Sequence, residues 1–95
     1  MRPVRLSALA QNDIQRIVED IGSDKPRAAA AVGRQLIQRC HGLANAPEGY
    51  ELRPEFGVDV RGVTVPPYVI LYRVRRHDTL VLGVRHGARR PVVFK

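Results

Sequence analysis

The segment Tyr68–His86, YVILYRVRRHDTLVLGVRH, decides the fold that we predict for this chain. Residues 68–74 are almost continuously apolar and aromatic, which favours a strand in the middle of a sheet. The polar residues 75–78 form a turn, and residues 79–86 are again apolar, so the segment predicts a β-hairpin. Alternation along the second strand places on one face Leu80, Leu82, Val84 and His86.

Shorter apolar segments on either side of this hairpin predict further strands. Residues 58–65 alternate with period two and end at two prolines, and residues 2–6 place Val4 and Leu6 on one face. Residues 89–95, RRPVVFK, are expected to add a short final edge strand.

Between the first strand and the hairpin, the apolar residues return at helical spacing. Ser7 is the expected N-cap of a first helix, and Gly22 suits its end. The apolar face of this helix comprises Ala10, Ile14, Ile17 and Ile21. The residues expected on its surface are Asp13, Arg16, Glu19 and Asp20.

A second helix follows after the sequence SDKP. Asp24 is its expected N-cap, and Pro26 falls in the first turn, where the missing N–H costs little. Its predicted apolar face comprises Ala28, Ala31, Val32, Leu36, Cys40 and Leu43. The alanines would allow close approach of the first helix, so we predict an antiparallel helix pair.

The order of these elements predicts one α+β domain over residues 1–95, with the topology β-α-α-β-β-β. A helical hairpin is expected to cover one face of an antiparallel sheet. The other face would be left for water or for a partner.

The composition excludes several classes of protein. No apolar run reaches the roughly 20 residues of a membrane span, and the N-terminus lacks the apolar core of a signal peptide. A single cysteine, Cys40, allows no internal disulfide, which fits a reducing compartment, so we expect a cytoplasmic protein. His41, His77, His86 and Cys40 lack metal-ligand spacing, and no glycine-rich phosphate loop is present, so neither a metal nor a cofactor is expected.

The charge is concentrated in the last third of the chain. Residues 1–60 contain eight Lys and Arg against eight Asp and Glu, whereas residues 61–95 contain eight against one, a net charge of +7. Fourteen of the sixteen basic residues are arginine, which binds carboxylate and phosphate in bidentate fashion. This distribution predicts an acidic partner.

The sequence VRHGARRP at residues 84–91 allows two functions. A histidine among arginines could supply the proton transfer and the cations that RNA cleavage needs. It could equally be a basic docking surface on which His86 is only a strand-end residue. Chain order does not show whether Arg61 reaches His86.

Four segments resemble the ParE-type toxins of the ParE/RelE superfamily. They are RLSALAQNDIQRI (5–17), LANAPEGYELRPEFGVDVR (43–61), PYVILYRV (67–74) and VRHGARR (84–90). They occur in the family's order and at fitting distances, and the last is closest to the ParE branch. The resemblance implies a RelE/ParE-like fold with the helical hairpin packed on one sheet face.

The resemblance also implies the toxin of a bacterial type II toxin–antitoxin system. ParE-like toxins inhibit DNA gyrase and are neutralised by a ParD-like antitoxin with an acidic C-terminal tail. The implied assembly is a hetero-oligomeric complex that binds operator DNA through the antitoxin. Two alternatives remain open, a RelE-like ribosome-dependent mRNA endonuclease and a non-toxic corepressor of its own operon.

Each of these expected functions is assigned to specific residues. The predicted target-binding residues are Arg61, Arg85, His86, Arg89 and Arg90. In the endonuclease alternative Arg61, His86 and Arg89 would be catalytic, whereas a gyrase inhibitor has no catalytic residue. The predicted antitoxin contacts are Tyr72, Arg73 and Arg75. No tyrosine follows Tyr72, although the cutting relatives typically have one near the C-terminus, and Gly83 replaces a residue that is larger in many members.

Overall fold

The computed structural model describes residues 2–95 and confirms an α+β fold with the order β-α-α-β-β-β. The elements are β1 (Val4–Leu6), α1 (Ala8–Gly22), α2 (Pro26–Gly42), β2 (Arg61–Val65), β3 (Tyr68–Val74) and β4 (Thr79–His86). Two 3-10 turns, Pro47–Gly49 and Pro54–Phe56, connect α2 to β2. Within residues 2–95, no helix has the length and apolar character needed to cross a membrane.

The four strands form one sheet in the order β1-β4-β3-β2, with the predicted hairpin in its middle. β2, β3 and β4 are antiparallel to their neighbours, but β1 pairs with β4 in parallel, Val4 opposite Thr79. The sheet is therefore mixed and not purely antiparallel. Alternation in the sequence shows which face of an edge strand is buried, but it does not show the strand's direction.

A β-bulge in the hairpin changes the predicted faces of β4. Leu71 pairs with Gly83 and Tyr72 pairs with Val81, so Leu82 is an extra residue in β4. The extra residue shifts the alternation by one position. Val84 and His86 consequently lie on the helix side, opposite to Leu80 and Leu82, and the prediction of a single face for these four residues was wrong.

The helix pair covers one sheet face, as predicted. Ser7 caps α1 by accepting a hydrogen bond from the Ala10 amide at 3.0 Å, and its hydroxyl donates to the Leu82 carbonyl at 3.0 Å. The core between helices and sheet contains buried residues from α1, α2 and its C-cap, and three strands. They are Ala10, Ile14, Leu36, Cys40, Leu43, Val63, Val65, Ile70, Tyr72, Val81 and Val84.

The rotation of α2 differs from the prediction at its N-terminal end. Ala28 and Ala31 are exposed, whereas Ala29 is buried with 3% exposure. A run of four alanines has no polar contrast, so it cannot indicate which of its members faces the core. The N-cap is Lys25 and not Asp24, while Pro26 does occupy the first turn.

The outer sheet face, away from the helices, is not open. A second cluster there contains Phe56, Val60, Val69, Leu71 and Leu82, with Leu80 and Phe94 packed against it. The C-terminal residues fold back over this cluster instead of forming the predicted edge strand, and the Phe94 amide donates to the Phe56 carbonyl at 2.7 Å.

The strand predicted from Val58 begins only at Arg61. Gly57 and Asp59 both have positive φ, +127° and +59°, which is incompatible with extended backbone. Residues 57–60 therefore turn and place Val60 in the outer cluster.

Asp13 was expected on the surface, but it is only 9% exposed. β1 pairs with β4 only from Thr79 to Val81, so β4 extends beyond its neighbour. The Asp13 carboxylate reaches this edge, where it accepts a hydrogen bond from the Val84 amide at 3.0 Å and forms an ion pair with Arg85.

The α2 packing predicts opposite responses to one substitution at two neighbouring positions. Ala29→Leu should lower the free energy of unfolding by about 1–3 kcal/mol, because the larger side chain overpacks the contact with Gly22 of α1. The same change at exposed Ala31 should alter it by less than about 0.5 kcal/mol. Urea unfolding measures both, and equal effects would contradict the helix rotation described here.

The Asp13 contacts predict that this residue stabilises the fold. Asp13→Ala should lower the free energy of unfolding by about 2–3 kcal/mol, because it leaves the Val84 amide and the Arg85 guanidinium without their partner. Asp20→Ala, at an exposed position of the same helix, is the matched control. An Asp13 variant as stable as that control would show that the contact is not important.

Candidate functional site

The closing segment, Val84–Pro91, borders a groove of about 590 Å³ on the helix side of the sheet. The groove lies between Leu9, Ile17 and Asp20 of α1 and His86, Arg89 and Arg90 of the closing segment. We call it the helix-side groove. α1 is positioned here by the Ser7 cap and by the hydrogen bond of Asp13 to the Val84 amide of β4. The same contacts that fix the helix therefore also shape the groove.

The helix-side groove combines apolar side chains with a basic rim, and Arg16 and Asp20 of α1 also line it. Leu9 is 44% exposed and Val92 is 59% exposed, although both are large apolar residues. Arg89 and Arg90 are exposed, and neither forms a salt bridge within residues 2–95. An apolar surface beside unpaired cations is typical of a protein interface.

Arg85 differs from the other arginines of the closing segment. Its guanidinium is paired with Asp13 and packs over the Phe94 ring, 5.1 Å from the ring centroid. The predicted target-binding residue is therefore used inside the molecule, where it joins α1 to the C-terminal residues.

The His86 side chain is held in place by the Ala88 amide and the Tyr68 ring. Its Nδ1 accepts a hydrogen bond from the Ala88 amide at 3.2 Å, which stabilises the turn after β4. Its ring meets the Tyr68 ring edge-on, with centroids 5.8 Å apart and planes at 81°. Because Nδ1 is an acceptor, the proton of the neutral ring lies on Nε2.

Arg61 does not meet His86. Arg61 is opposite Tyr72 and His86 is opposite Tyr68, four residues further along β3, which corresponds to about 13 Å. They also lie on the two strands that flank β3. The Arg61 guanidinium donates instead to the carbonyls of Glu48, at 3.2 Å, and Tyr50, at 2.7 Å, and so holds the connection before β2.

Tyr72, a predicted antitoxin contact, lies in the core with 0% exposure. Its hydroxyl donates to the Pro47 carbonyl. Burial raises the pKa of Tyr72 to about 12, although nearby Arg61 acts in the opposite direction. The ring is therefore inaccessible to a partner in this structure, and its hydroxyl stays protonated at neutral pH.

The two other predicted antitoxin contacts are at least partly engaged. Arg73 donates to the carbonyls of Val58, Phe94 and Lys95, at 2.9–3.0 Å. Arg75 makes two hydrogen bonds of 2.6 Å to Asp78, and these lower the pKa of that carboxyl. The Arg75 side chain remains 48% exposed.

The exposed arginines of the last third form two separate groups. Arg75 and Arg76 lie at the turn between β3 and β4, whereas Arg89 and Arg90 follow the other end of β4. Leu9 and Val92, which line the helix-side groove, were not among the predicted site residues. Leu9 had a detectable signal, since it is a large apolar residue outside the predicted apolar face of α1.

Acid–base and metal chemistry have little support in this arrangement. The closing segment holds one histidine, and the arginine that would accompany it in a cleaving site is on the far side of β3. Among residues 2–95, no three His, Cys, Asp or Glu side chains are grouped so that they could hold a metal ion.

Two solved structures show the same fold. The chromosomal ParDE TA system from P. aeruginosa contains a chain that superposes with a TM-score of 0.80 at 18% identity, covering 90% of this chain and 96% of that chain. The toxin–antitoxin complex RelBE2 from Mycobacterium tuberculosis gives a TM-score of 0.63 at 25% identity, covering 93% of each chain. The search of curated proteins found no match.

A family comparison covers most of the sequence. Residues 4–91 match the family described as the ParE toxin of the type II toxin–antitoxin system parDE. This range contains all six helices and strands and the closing segment. The chain therefore belongs to the ParE toxin family of type II toxin–antitoxin systems.

Proposed function

We propose that this ParE-family toxin acts by binding DNA gyrase through the closing segment and the helix-side groove. The observation that carries the proposal is the pair of exposed, unpaired arginines, Arg89 and Arg90, beside exposed Leu9 and Val92. Apolar contacts would supply affinity at the centre of such an interface, and the arginines would steer an acidic surface of the target onto it.

The environment of His86 supports binding in preference to cleavage. A general acid or base must reach the proton that it transfers, and a cleaving site also needs cations around the phosphate. Here Nδ1 of His86 is occupied by the Ala88 amide, Arg61 is about 13 Å away along β3, and Arg85 is paired with Asp13. The proposed activity requires no metal and no cofactor.

The same proposal includes a ParD-like antitoxin with an acidic tail. The helix-side groove offers the apolar walls and the cations that such a tail would need in order to fold on binding. Arg75, which is half exposed, is retained as a second contact, whereas buried Tyr72 and the engaged Arg73 are not. The antitoxin would block the gyrase surface directly and would carry the complex to operator DNA.

Reversal of the rim charges should abolish toxicity. Arg89→Glu combined with Arg90→Glu should remove growth arrest on induction and binding to purified gyrase, because like charges would face the acidic target. The matched control is Arg27→Glu with Arg34→Glu, which makes the same change in net charge at exposed positions of α2. A toxin that tolerates the first pair but not the second would place the target surface on α2.

His86→Gln separates docking from catalysis. If His86 only shapes the turn, the variant should retain growth arrest and gyrase inhibition to within a few fold, whereas loss of a general acid or base costs about 10²–10⁴-fold. The measurements are gyrase supercoiling and cleavage of ribosome-bound mRNA. Codon-specific mRNA cuts that disappear in the variant would instead establish the endonuclease alternative.

A further inference from the structure

The end of the sheet opposite the closing segment holds a second group of basic side chains. Its members come from β1 and from the turn between β3 and β4, and they are Arg5, Arg75, Arg76 and His77. The parallel pairing of β1 with β4 brings them together, because Val4 lies opposite Thr79 and the Thr79 amide donates to the Pro3 carbonyl at 2.9 Å. We call this group the basic end.

Asp78 lies beneath the basic end and fixes two of its arginines. Its carboxylate accepts two hydrogen bonds of 2.6 Å from Arg75 and forms an ion pair with Arg5 at 3.3 Å. The hydrogen bonds from Arg75, and also the charges of Arg5 and His77, lower the pKa of Asp78, so this carboxyl is ionised at neutral pH. Asp78 is only 7% exposed, whereas the Arg5 side chain is 71% exposed. The cations therefore face the solvent, and the negative charge lies under them.

The basic end keeps an excess of positive charge after this pairing. Asp78 is the only acid in residues 61–95, and its one charge is shared by Arg5 and Arg75. Arg76 is exposed and forms no salt bridge within residues 2–95. Arg2, just before β1, is paired with Glu48 and adds no net charge. The surface consequently attracts anions.

The basic end offers no apolar anchor to a protein partner. Within residues 2–95, the exposed large apolar side chains lie on α1, on α2, in the connection before β2 and in the C-terminal residues. A specific protein interface has apolar anchors at its centre, whereas a phosphate backbone is bound by cations and polar groups. Guanidinium groups suit phosphate especially well, because they donate in bidentate fashion. This composition favours a nucleic acid over an acidic peptide.

The same surface favours a duplex over a single strand. Proteins that bind single strands stack the bases on exposed aromatic side chains, and the basic end presents no phenylalanine, tyrosine or tryptophan. A duplex keeps its bases stacked inside and displays closely spaced phosphates, about one charge per 1.7 Å of helix axis. Cations without aromatic neighbours fit that kind of surface.

The basic end is also remote from the closing segment. Thr79 begins β4 and His86 ends it, which corresponds to about 20 Å along the strand. The surface proposed for gyrase lies beside His86, so a partner there leaves the basic end uncovered. The two surfaces can therefore act at the same time.

We propose that the basic end is a docking site for the phosphate backbone of duplex DNA, contacted by Arg5, Arg76 and His77. Arg75 holds the turn in shape through Asp78 and keeps the contacting side chains at the end of the sheet. Contacts of this kind read no base sequence, but they add affinity and orient a protein on the duplex. The site goes beyond the proposed gyrase surface, which lies at the other end of β4.

Fluorescence anisotropy of a labelled duplex tests the proposal without gyrase or antitoxin. The probe is a mixed-sequence duplex of about 20 base pairs, titrated with the full chain at several salt concentrations around 0.1 M. Arg5→Gln combined with Arg76→Gln should raise the Kd by about 10-fold or more. It should also lower the slope of log Kd against log salt concentration by about 2, because two phosphate contacts are lost.

The matched control is Arg27→Gln with Arg34→Gln, which removes the same charge at exposed positions of α2. This pair should change the Kd by less than about 3-fold, since charges far from the bound duplex are screened by salt. Equal losses in the two double variants would show that only net charge matters and would overturn the proposal. A larger loss in Arg89→Gln with Arg90→Gln would overturn it as well, by placing the duplex at the closing segment.

Two further measurements keep the test valid if a variant fails to fold. In the ¹⁵N-labelled unmodified chain, unlabelled duplex should shift the amide signals of Arg5, Arg76 and His77 saturably. Polyglutamate of matched total charge should bind about 10-fold more weakly, because its charges are further apart. Shifts centred on Arg89 and Arg90, or equal affinity for polyglutamate, would contradict a duplex site at the basic end. Since gyrase plays no part, failure of the proposed gyrase binding leaves these outcomes readable.

Discussion

The arrangement of this molecule depends on the contact between the Asp13 carboxylate of α1 and strand β4. β1 is too short to pair with the whole of β4. The part of β4 after Val81 therefore has no strand beside it on that side. α1 closes that edge with side chains, Ser7 on the Leu82 carbonyl and Asp13 on the Val84 amide. A buried backbone group left unpaired would be costly, so these contacts hold the N-terminal half of α1 to β4.

This attachment also determines the electrostatics of the closing segment. Asp13 neutralises Arg85, and the paired guanidinium then packs on Phe94, so α1, β4 and the C-terminal residues form one connected unit. The arginines beyond this unit have no internal acid to pair with. Positive charge consequently remains at Arg89 and Arg90, beside a groove that Leu9, Ile17 and Val92 line together with Arg16 and Asp20.

The helix-side groove adjoins a second groove on the outer face of the sheet. Tyr68 and Arg89 lie where the helix side and the outer side of the sheet meet, and each lines both grooves. The helix-side groove takes cations from α1 (Arg16) as well as from the closing segment, whereas Arg53 reaches the groove on the outer face from the loop before β2, past Gly62.

The sequence by itself determined the elements and their order. Local sequence patterns predicted the hairpin of residues 68–86 and the Ser7 cap, and they also gave the family resemblance. Such patterns suffice because apolar periodicity and capping chemistry act over a few residues. Only the tertiary structure decided which residues meet. The bulge at Leu82 reversed the face of His86, and the offset of four positions between Tyr68 and Tyr72 separated Arg61 from it. Burial of Asp13 and Tyr72 likewise depends on contacts between segments far apart in the chain, Asp13 with Val84 and Tyr72 with Pro47. Such contacts leave no periodic trace in the sequence, since they follow from the register and packing of whole elements.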